Sequence, residues 1–556
     1  SYYYSRKKYS KTFPYYLARR DAEDPDYIYL IPQSEESIWS VSTGWDKNRK
    51  VYMEFGIDYN RTFGLHKTTA LILYNQSKYY SPSLQYYVPN AYQGLVGRLT
   101  YEYASRYLAE FNMGYNGTEN FAKGKRFGFF PAVSLGWVIS EEKFFPKNNI
   151  VKYLKVRGSY GEVGNDQIGG DRFLYLPSSY GAASDSGVNK YNFGLASNPY
   201  TSLMIVENKI GNPDLTWEKA KKMNVGVDIN LFNNCLTASF DIFKEKRNNI
   251  LANRSTSPMI IGANLPAYNF GEMENRGWEM DLNFRHHIQD FHYWARFNYS
   301  FARNEIIYMD EVQKRYDYQM TTGRRKNQFF GLIFDGYYNS WEEINALDRP
   351  KSSWSGNQLQ PGDVKYVDVN RDGVIDDYDM VPIGYTPVPE IIYGFSFGAQ
   401  YKGFDFSILF QGADNVSIKY FGRSMWPFAK GEESAKSLIK ERWTQERYEA
   451  GEKITFPRLS LNPNGETDHN YRPSTLWIRD ASYLRLKNLE VGYTFTGGFV
   501  KRLNLNSVRL YFNGSNLFTW TDVVDLDPEA PSRSGNVEIN TYPLQKVYNI
   551  GLNINF

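Results

Sequence analysis

The chain has 556 residues, 42% hydrophobic and 17% aromatic, with 47 Tyr, 36 Phe and 12 Trp. Its net charge of +3 is spread along the chain rather than gathered into a basic patch, which excludes nucleic acid as a partner. A single cysteine, Cys235, excludes both a disulfide framework and a cysteine-based zinc site; we read it as a small apolar filler.

No run of about 18 apolar residues marks a transmembrane helix. The mean hydropathy of −0.56 does not exclude a β-barrel, because polar lumen-facing residues dilute the average. The opening Ser1-Tyr2-Tyr3-Tyr4-Ser5-Arg6-Lys7-Lys8 lacks the apolar stretch of a signal peptide, and the expectation is that the natural N-terminus lies upstream.

Period-two alternation dominates from there on. Leu99, Tyr101 and Tyr103 alternate with Thr100 and Glu102, and Tyr107 to Tyr115 resume the pattern past Ala104-Ser105. Met223, Val225, Val227, Ile229 and Leu231 face one way, and Asn224, Gly226, Asp228 and Asn230 the other, the mark of a strand with one apolar face. Asn233-Asn234 reads as a tight turn into Leu236, Ala238, Phe240 and Ile242. Trp278 to Phe284, Ala295 to Phe301, Tyr393 to Tyr401 and Phe404 to Phe410 alternate likewise. In Leu484 to Phe495 the phase changes near Asn488, which predicts a β-bulge. One stretch, Ser434 to Ala450, reads as a loop helix. The chain ends on alternating Tyr548, Ile550, Leu552, Ile554 and Phe556, where soluble chains usually fray.

About fifteen strands of membrane-spanning length result. Short turns near 61–65, 104–106, 140–149, 233–234, 286–290, 402–403 and 497–503 alternate with longer connections, of which 163–215, 305–389 and 416–475 are the longest. Short turns at one end and long loops at the other predict an all-β, transmembrane antiparallel β-barrel. A soluble two-sheet protein also alternates, but it seldom sustains loops of this length.

The sharpest local motif is Asp368-Val369-Asn370-Arg371-Asp372-Gly373-Val374-Ile375-Asp376-Asp377-Tyr378-Asp379. It fits D-x-N-x-D-G with acids further on, a spacing that wraps oxygens around a hard cation. Asp368, Asn370, Asp372 and Asp379 offer side-chain oxygens, Val374 its carbonyl, and Asp376 a ligand directly or through water. The closing residue is Asp rather than a bidentate Glu, which suits Ca²⁺ of modest affinity or Mg²⁺ in a structural role. The competing reading is a solvated acidic loop tip.

Gly394-Phe395-Ser396-Phe397-Gly398 matches the hydrolase elbow pattern, but it lies inside an alternating strand and not at a strand-to-helix turn, so no catalysis is expected. His66, His286, His287, His292 and His469 show no zinc spacing. Tyr79, Tyr80, Tyr86, Tyr87 and Tyr92, then Phe173, Tyr175, Tyr180, Tyr191 and Phe193, and finally Trp426-Pro427-Phe428 make aromatic loops. These suit sugar rings or peptides, and equally suit girdle packing or loop self-packing.

Several stretches resemble SusC/RagA-like TonB-dependent transporters of Bacteroidetes. They are Asn212-Pro213-Asp214-Leu215-Thr216-Trp217-Glu218, Gly271-Glu272-Met273-Glu274-Asn275-Arg276-Gly277, Gly362-Asp363-Val364-Lys365-Tyr366-Val367-Asp368, Asp480-Ala481-Ser482-Tyr483-Leu484-Arg485-Leu486-Lys487-Asn488, Ser515-Asn516-Leu517-Phe518-Thr519-Trp520 and the ending from Tyr542 to Phe556. The resemblance implies part of a plugged barrel of about 22 strands, with the plug not in this sequence. Residues 1–45 would be an extracellular loop or incomplete barrel segment, and 46–556 the C-terminal barrel portion. It further implies outer-membrane location, no enzymatic activity, coupling to TonB through a missing N-terminal part, and a SusD-like lipoprotein partner. The cargo would be an oligosaccharide or, second, a peptide, and dimers of transporter–lipoprotein pairs would be in character. The rival readings are a passive porin or adhesin-type barrel, and a soluble cell-surface Ca²⁺-binding, carbohydrate-binding β-protein.

Overall fold

Each two-periodic segment forms a strand, and each short connector folds it back onto the next, since a short turn permits only an antiparallel neighbour. The computed structural model describes residues 2–10, 16–20, 28–32, 40–84, 87–167, 172–177, 181–182, 190–194, 200–203, 205–206, 210–257, 265–354, 359–420, 425–428, 437–460, 469–524, 526–529, 536–537 and 544–556. Among these, one 16-stranded sheet follows chain order throughout.

Its strands are β1 (Tyr2–Ser10), β2 (Ser40–Phe63), β3 (His66–Tyr80), β4 (Asn90–Tyr103), β5 (Tyr107–Thr118), β6 (Phe127–Val138), β7 (Val151–Asn165) and β8 (Glu218–Leu231). They continue as β9 (Leu236–Ala252), β10 (Tyr268–Ile288), β11 (Phe291–Tyr308), β12 (Ile391–Tyr401), β13 (Phe404–Asp414), β14 (Tyr483–Phe495), β15 (Ser507–Thr521) and β16 (Val547–Asn555). The count is one above the expected fifteen or so; β1, with its Tyr and Lys runs, shows no alternation to read. No helix of the described residues is long and apolar enough to cross a membrane.

Register carries the alternation from strand to strand, so each face keeps one character. The Phe111–Val133–Tyr160–Met223 row lies on the apolar face, where Phe111, Val133, Tyr160 and Met223 are all exposed. Exposed apolar side chains on one face, with ion pairs on the other, invert the plan of a soluble sheet and match a wall whose outside meets lipid. The Phe232–Asn234 turn has positive φ at Phe232, Asn233 and Asn234 (51°, 56° and 67°), a left-handed geometry that Asn tolerates better than most residues. The pairing of β14 shifts between Leu486 and Asn488, which is the expected bulge; it leaves Lys487 out of register and restores the apolar face beyond it.

The long connections are folded. Leu332, Val364, Tyr366 and Ile375, from the β11–β12 connection, pack with Ile418, Trp426, Trp443, Phe456, Tyr471 and Trp477, from the β13–β14 connection, and with Val523 after β15. This is a hydrophobic core outside the barrel wall, large enough to make the loops one platform. The expected loop helix is two short pieces, a 3₁₀ turn at Ser437–Glu441 and an α-helix at Gln445–Glu449. Trp443 is buried between them, and Thr444 caps the second by accepting from the Arg447 amide. Residues 434–436 lie outside the described residues.

Candidate functional site

The inward face of the wall is polar and cross-linked. On β7, Arg157 reaches over β8 to β9, donating to Asp241 through Nη1 and Nη2 at 2.6 Å each and to Asp228 at 3.1 Å. Gly226 stands between them; a Cβ there would meet Asp241 at 2.6 Å and Arg157 at 2.7 Å. The missing side chain is what lets one guanidinium bridge three strands. Arg98 pairs with Glu110 at 2.9 Å, and Arg509 with Glu490 at 2.6 Å and with Asp405. A cavity of about 480 Å³ opens along this face, its lining including Thr100, Glu110, Ser134, Arg157, Ser159 and Asn224. Hydroxyls, amides and paired charges contribute to this lining.

Residues 526–529, which follow β15, dock on the inward face of β14. Arg485, on the inward face of β14, is 1% exposed and donates to Asp527 at 2.8 Å, to Glu529 and to Thr519 at 2.9 Å. Glu529 also accepts from Tyr483 at 2.6 Å and from Gln411 at 3.2 Å. Residues 526–529 are therefore tied to the lumen wall by a buried ion-pair network. On the platform side, Glu390 accepts from Arg303 at 2.8 Å and from Arg325. Burial works to raise its pKa, but the two guanidinium groups outweigh burial and hold it below the usual carboxylate range.

Residues quoted above as signatures turn out to be struts of this assembly. Asp363, 3% exposed, accepts from Arg458 at 2.6 Å and from Asn470 at 2.8 Å. Leu215 and Trp217 are buried with Phe121, Phe130 and Leu174 beneath the β7–β8 connection. Glu218 accepts from the Leu251 amide at 3.1 Å and from Asn165 at 2.9 Å. Sequence periodicity could not find these roles, because each joins segments far apart in the chain.

The 368–379 loop closes on its own backbone. Asp368 accepts from the amides of Arg371 (2.6 Å) and Gly373 (2.8 Å), Asp372 from Val374 (2.9 Å) and Asp376 from Tyr378 (2.7 Å). Asn370 Oδ1 accepts from the Asp372 amide at 2.9 Å. Asp379 is fully buried and accepts from the amides of Val369 (2.8 Å) and Asp376 (2.9 Å). Burial, the largest influence, raises the Asp379 pKa against those amides. Among the described residues, no three or more His, Cys, Asp or Glu side chains converge as a metal cage. The predicted ligands share one turn, each side chain held by a backbone amide of the loop.

Gly394 to Gly398 lies mid-strand in β12, with Gly398 paired to Trp294 of β11; a Cβ at Gly398 would meet the indole at 2.4 Å. The glycine makes room for an aromatic ring. His287 stacks on His292 at 5.5 Å beside the β10–β11 turn. His469 Nε2 donates to the Val364 carbonyl at 2.8 Å, so Nδ1 accepts from Ser352 at 2.9 Å. Trp426 is packed on Tyr471 at 5.1 Å inside the platform core, and Phe173 is buried, edge-on to Tyr175 at 6.1 Å. Tyr86, Tyr180 and the side chain of Tyr191 lie outside the described residues.

Comparison with known proteins fits this geometry. TonB-dependent receptor P3 of Formosa agariphila is 28% identical over 479 residues, covering 83% of this chain and 45% of its own length. TonB-dependent receptor SusC of Bacteroides thetaiotaomicron is 28% identical over 477 residues, covering 85% of this chain and 44% of its own. The chain therefore spans about half the length of the curated relatives it matches. A solved structure of the RagAB peptide transporter superposes with a TM-score of 0.67 at 21% identity, covering 92% of this chain and 56% of that one; at that identity it shows the shared fold. These relatives are receptors and transporters, not enzymes. The family model described as TonB dependent receptor-like, beta-barrel matches residues 1–517, and the chain belongs to that family of outer-membrane β-barrels.

Proposed function

We propose that the protein forms the barrel wall and extracellular platform of a TonB-coupled importer of a bulky nutrient. The observation that carries this is the joining of a polar, cross-linked lumen face to a folded loop platform with its own core. A passive porin gains nothing from a platform of that size. The cargo is an oligosaccharide by preference and an oligopeptide second, since the lumen offers hydroxyls, amides and paired charges rather than an apolar slot. A SusD-like surface lipoprotein would deliver the cargo onto the platform, as the names SusC and RagAB among the relatives suggest.

The test is titration calorimetry of the purified full-length complex with oligosaccharides and, separately, oligopeptides of matched mass. Saturable binding of sugars, with uptake by cells abolished by a protonophore, is the expected result. Uptake that persists without a proton gradient would return the passive barrel.

The 368–379 loop is proposed as a structural cation site. Asp368, Asn370, Asp372, Asp376, Asp379 and the Val374 carbonyl would hold Ca²⁺, or Mg²⁺, using the lone pairs their amide contacts leave free. Support comes from the ligand spacing and the sharp turn at Gly373, φ 82°.

A further inference from the structure

We propose that the outward face at the top of β2 to β6 holds the phosphate of an outer-leaflet lipid headgroup. The inference rests on the chain being an outer-membrane barrel, and not on any choice of cargo. Register defines the site. Phe55 on β2, Tyr74 on β3, Leu95 on β4, Tyr115 on β5 and Phe129 on β6 form one outward apolar row, all exposed. The next outward row toward the long-loop end is Met53, Gln76, Gln93, Gly117 and Phe127, and beyond it come Val51, Lys78 and Ala91. On β3 and β4 the face thus changes from Tyr74 and Leu95 to Gln76 and Gln93 within one step, as a wall does at the level of lipid headgroups. The long-loop end is the extracellular end, so this level belongs to the outer leaflet.

At that level the wall carries a cavity of about 590 Å³, lined in part by Arg49, Gln76, Lys78, Tyr80, Gln93 and Gly117. Gly117 lies in its lining with the Phe127 ring laid over it, and a Cβ there would meet that ring at 2.5 Å. Two cations converge on one ring there, the Arg49 guanidinium 4.6 Å and the Lys78 ammonium 5.4 Å from the Tyr80 centroid. Among the described residues, neither has a carboxylate within ion-pair distance. The pocket's one carboxylate, Glu119, is already engaged by Arg172 at 2.6 Å and by the Ala91 amide at 3.0 Å. Two like charges at one ring repel each other, and the ring's quadrupole offsets only part of that. An anion seated between them removes the repulsion, and a phosphate matches the guanidinium fork. A lipid suits the place better than a free anion or a protein, because acyl chains would run down the apolar row directly below.

The full-length receptor, extracted from outer membranes in detergent, would be compared with its Arg49→Gln/Lys78→Gln double variant. Bound lipopolysaccharide and phospholipid per barrel would be counted by native mass spectrometry, and then titrated back as defined micelles. Retention should fall about tenfold or more in the double variant, stay near normal in the charge-keeping Arg49→Lys/Lys78→Arg pair, and be unchanged in Arg61→Gln, which removes an outward cation from the other end of β2. Heat-modifiable migration on gels separates folded from unfolded variants, and the charge-keeping pair decides the matter if the glutamines do not fold. Equal retention by folded double variant and wild type would overturn the proposal. So would displacement of the lipid by inorganic phosphate at comparable concentration, which would mark a free-anion site, or loss of lipid in the charge-keeping pair.

Discussion

Arg485 shows what a single residue does here. A guanidinium that is 1% exposed is tolerable only with its charge matched, and Asp527 and Glu529 match it. Removing the cation strands two carboxylates in a confined place, so Arg485→Met should cost about 3–5 kcal/mol and release residues 526–529, read as a lower midpoint in heat-modifiability gels and as proteolysis after β15. Asp379 works in the other direction. Its pKa is raised, burial being the main cause, so in the absence of a cation its ionisation destabilises the loop. Protection of the loop amides from hydrogen exchange in EDTA should therefore rise as pH falls through the Asp379 pKa. With Ca²⁺ present the ionised form is the bound form, and the trend should reverse. A loop indifferent to both Ca²⁺ and pH would return the solvated-tip reading. Glu390 has a lowered pKa, two arginines outweighing burial. Its stabilisation is complete above the unfolded carboxylate pKa, near 4.3, and disappears as pH falls through the lower folded value. Acid should loosen the platform's attachment only below about pH 4, and Glu390→Gln should abolish that step.

At the scale of elements, the strands were the legible part. Alternation gives the middles of β8 to β13, because one face meets lipid and the other water, although β9 runs on to Ala252 and β10 begins at Tyr268, well beyond the alternating stretch; the phase change at Asn488 marks the bulge that register displays. The bulge makes a sharp prediction. Lys487 is the extra residue, so deleting it should keep both faces of β14 and be tolerated, whereas deleting Val491 from the regular part would flip the side chains on one side of it to the opposite face and should stop assembly in the same folding assay. Gly226 was legible only as a polar-face position, since its role depends on Arg157 and Asp241, which lie far away in the chain. Gly226→Val would force the two half-buried groups apart and should cost about 1–3 kcal/mol, as overpacking usually does, measured as a lower thermal midpoint. The loop helix was misjudged because helical spacing in Ser434 to Ala450 reflects a buried Trp443 and a Thr444 cap, not a continuous turn.

At the scale of the molecule, barrel class was readable from turn lengths and the platform was not. Its core joins three connections whose apolar residues follow no period, so Leu332, Trp443 and Val523 look like unrelated loop residues until the chain is folded. The motifs that resemble the family proved more telling than their composition, because Trp217 and Arg485 fasten connections to the wall and Asp363 fastens one long connection to another. Membership of this wall in an outer-membrane importer is open to direct test. The most direct measurement is isolation of the native complex from outer membranes, with its chains and bound ligand identified by mass spectrometry. Extraction only with detergent, a longer parent chain, a co-purifying surface lipoprotein and a bound oligosaccharide or peptide are the expected result. A chain recovered from the aqueous fraction, alone and at 64.7 kDa, would contradict it.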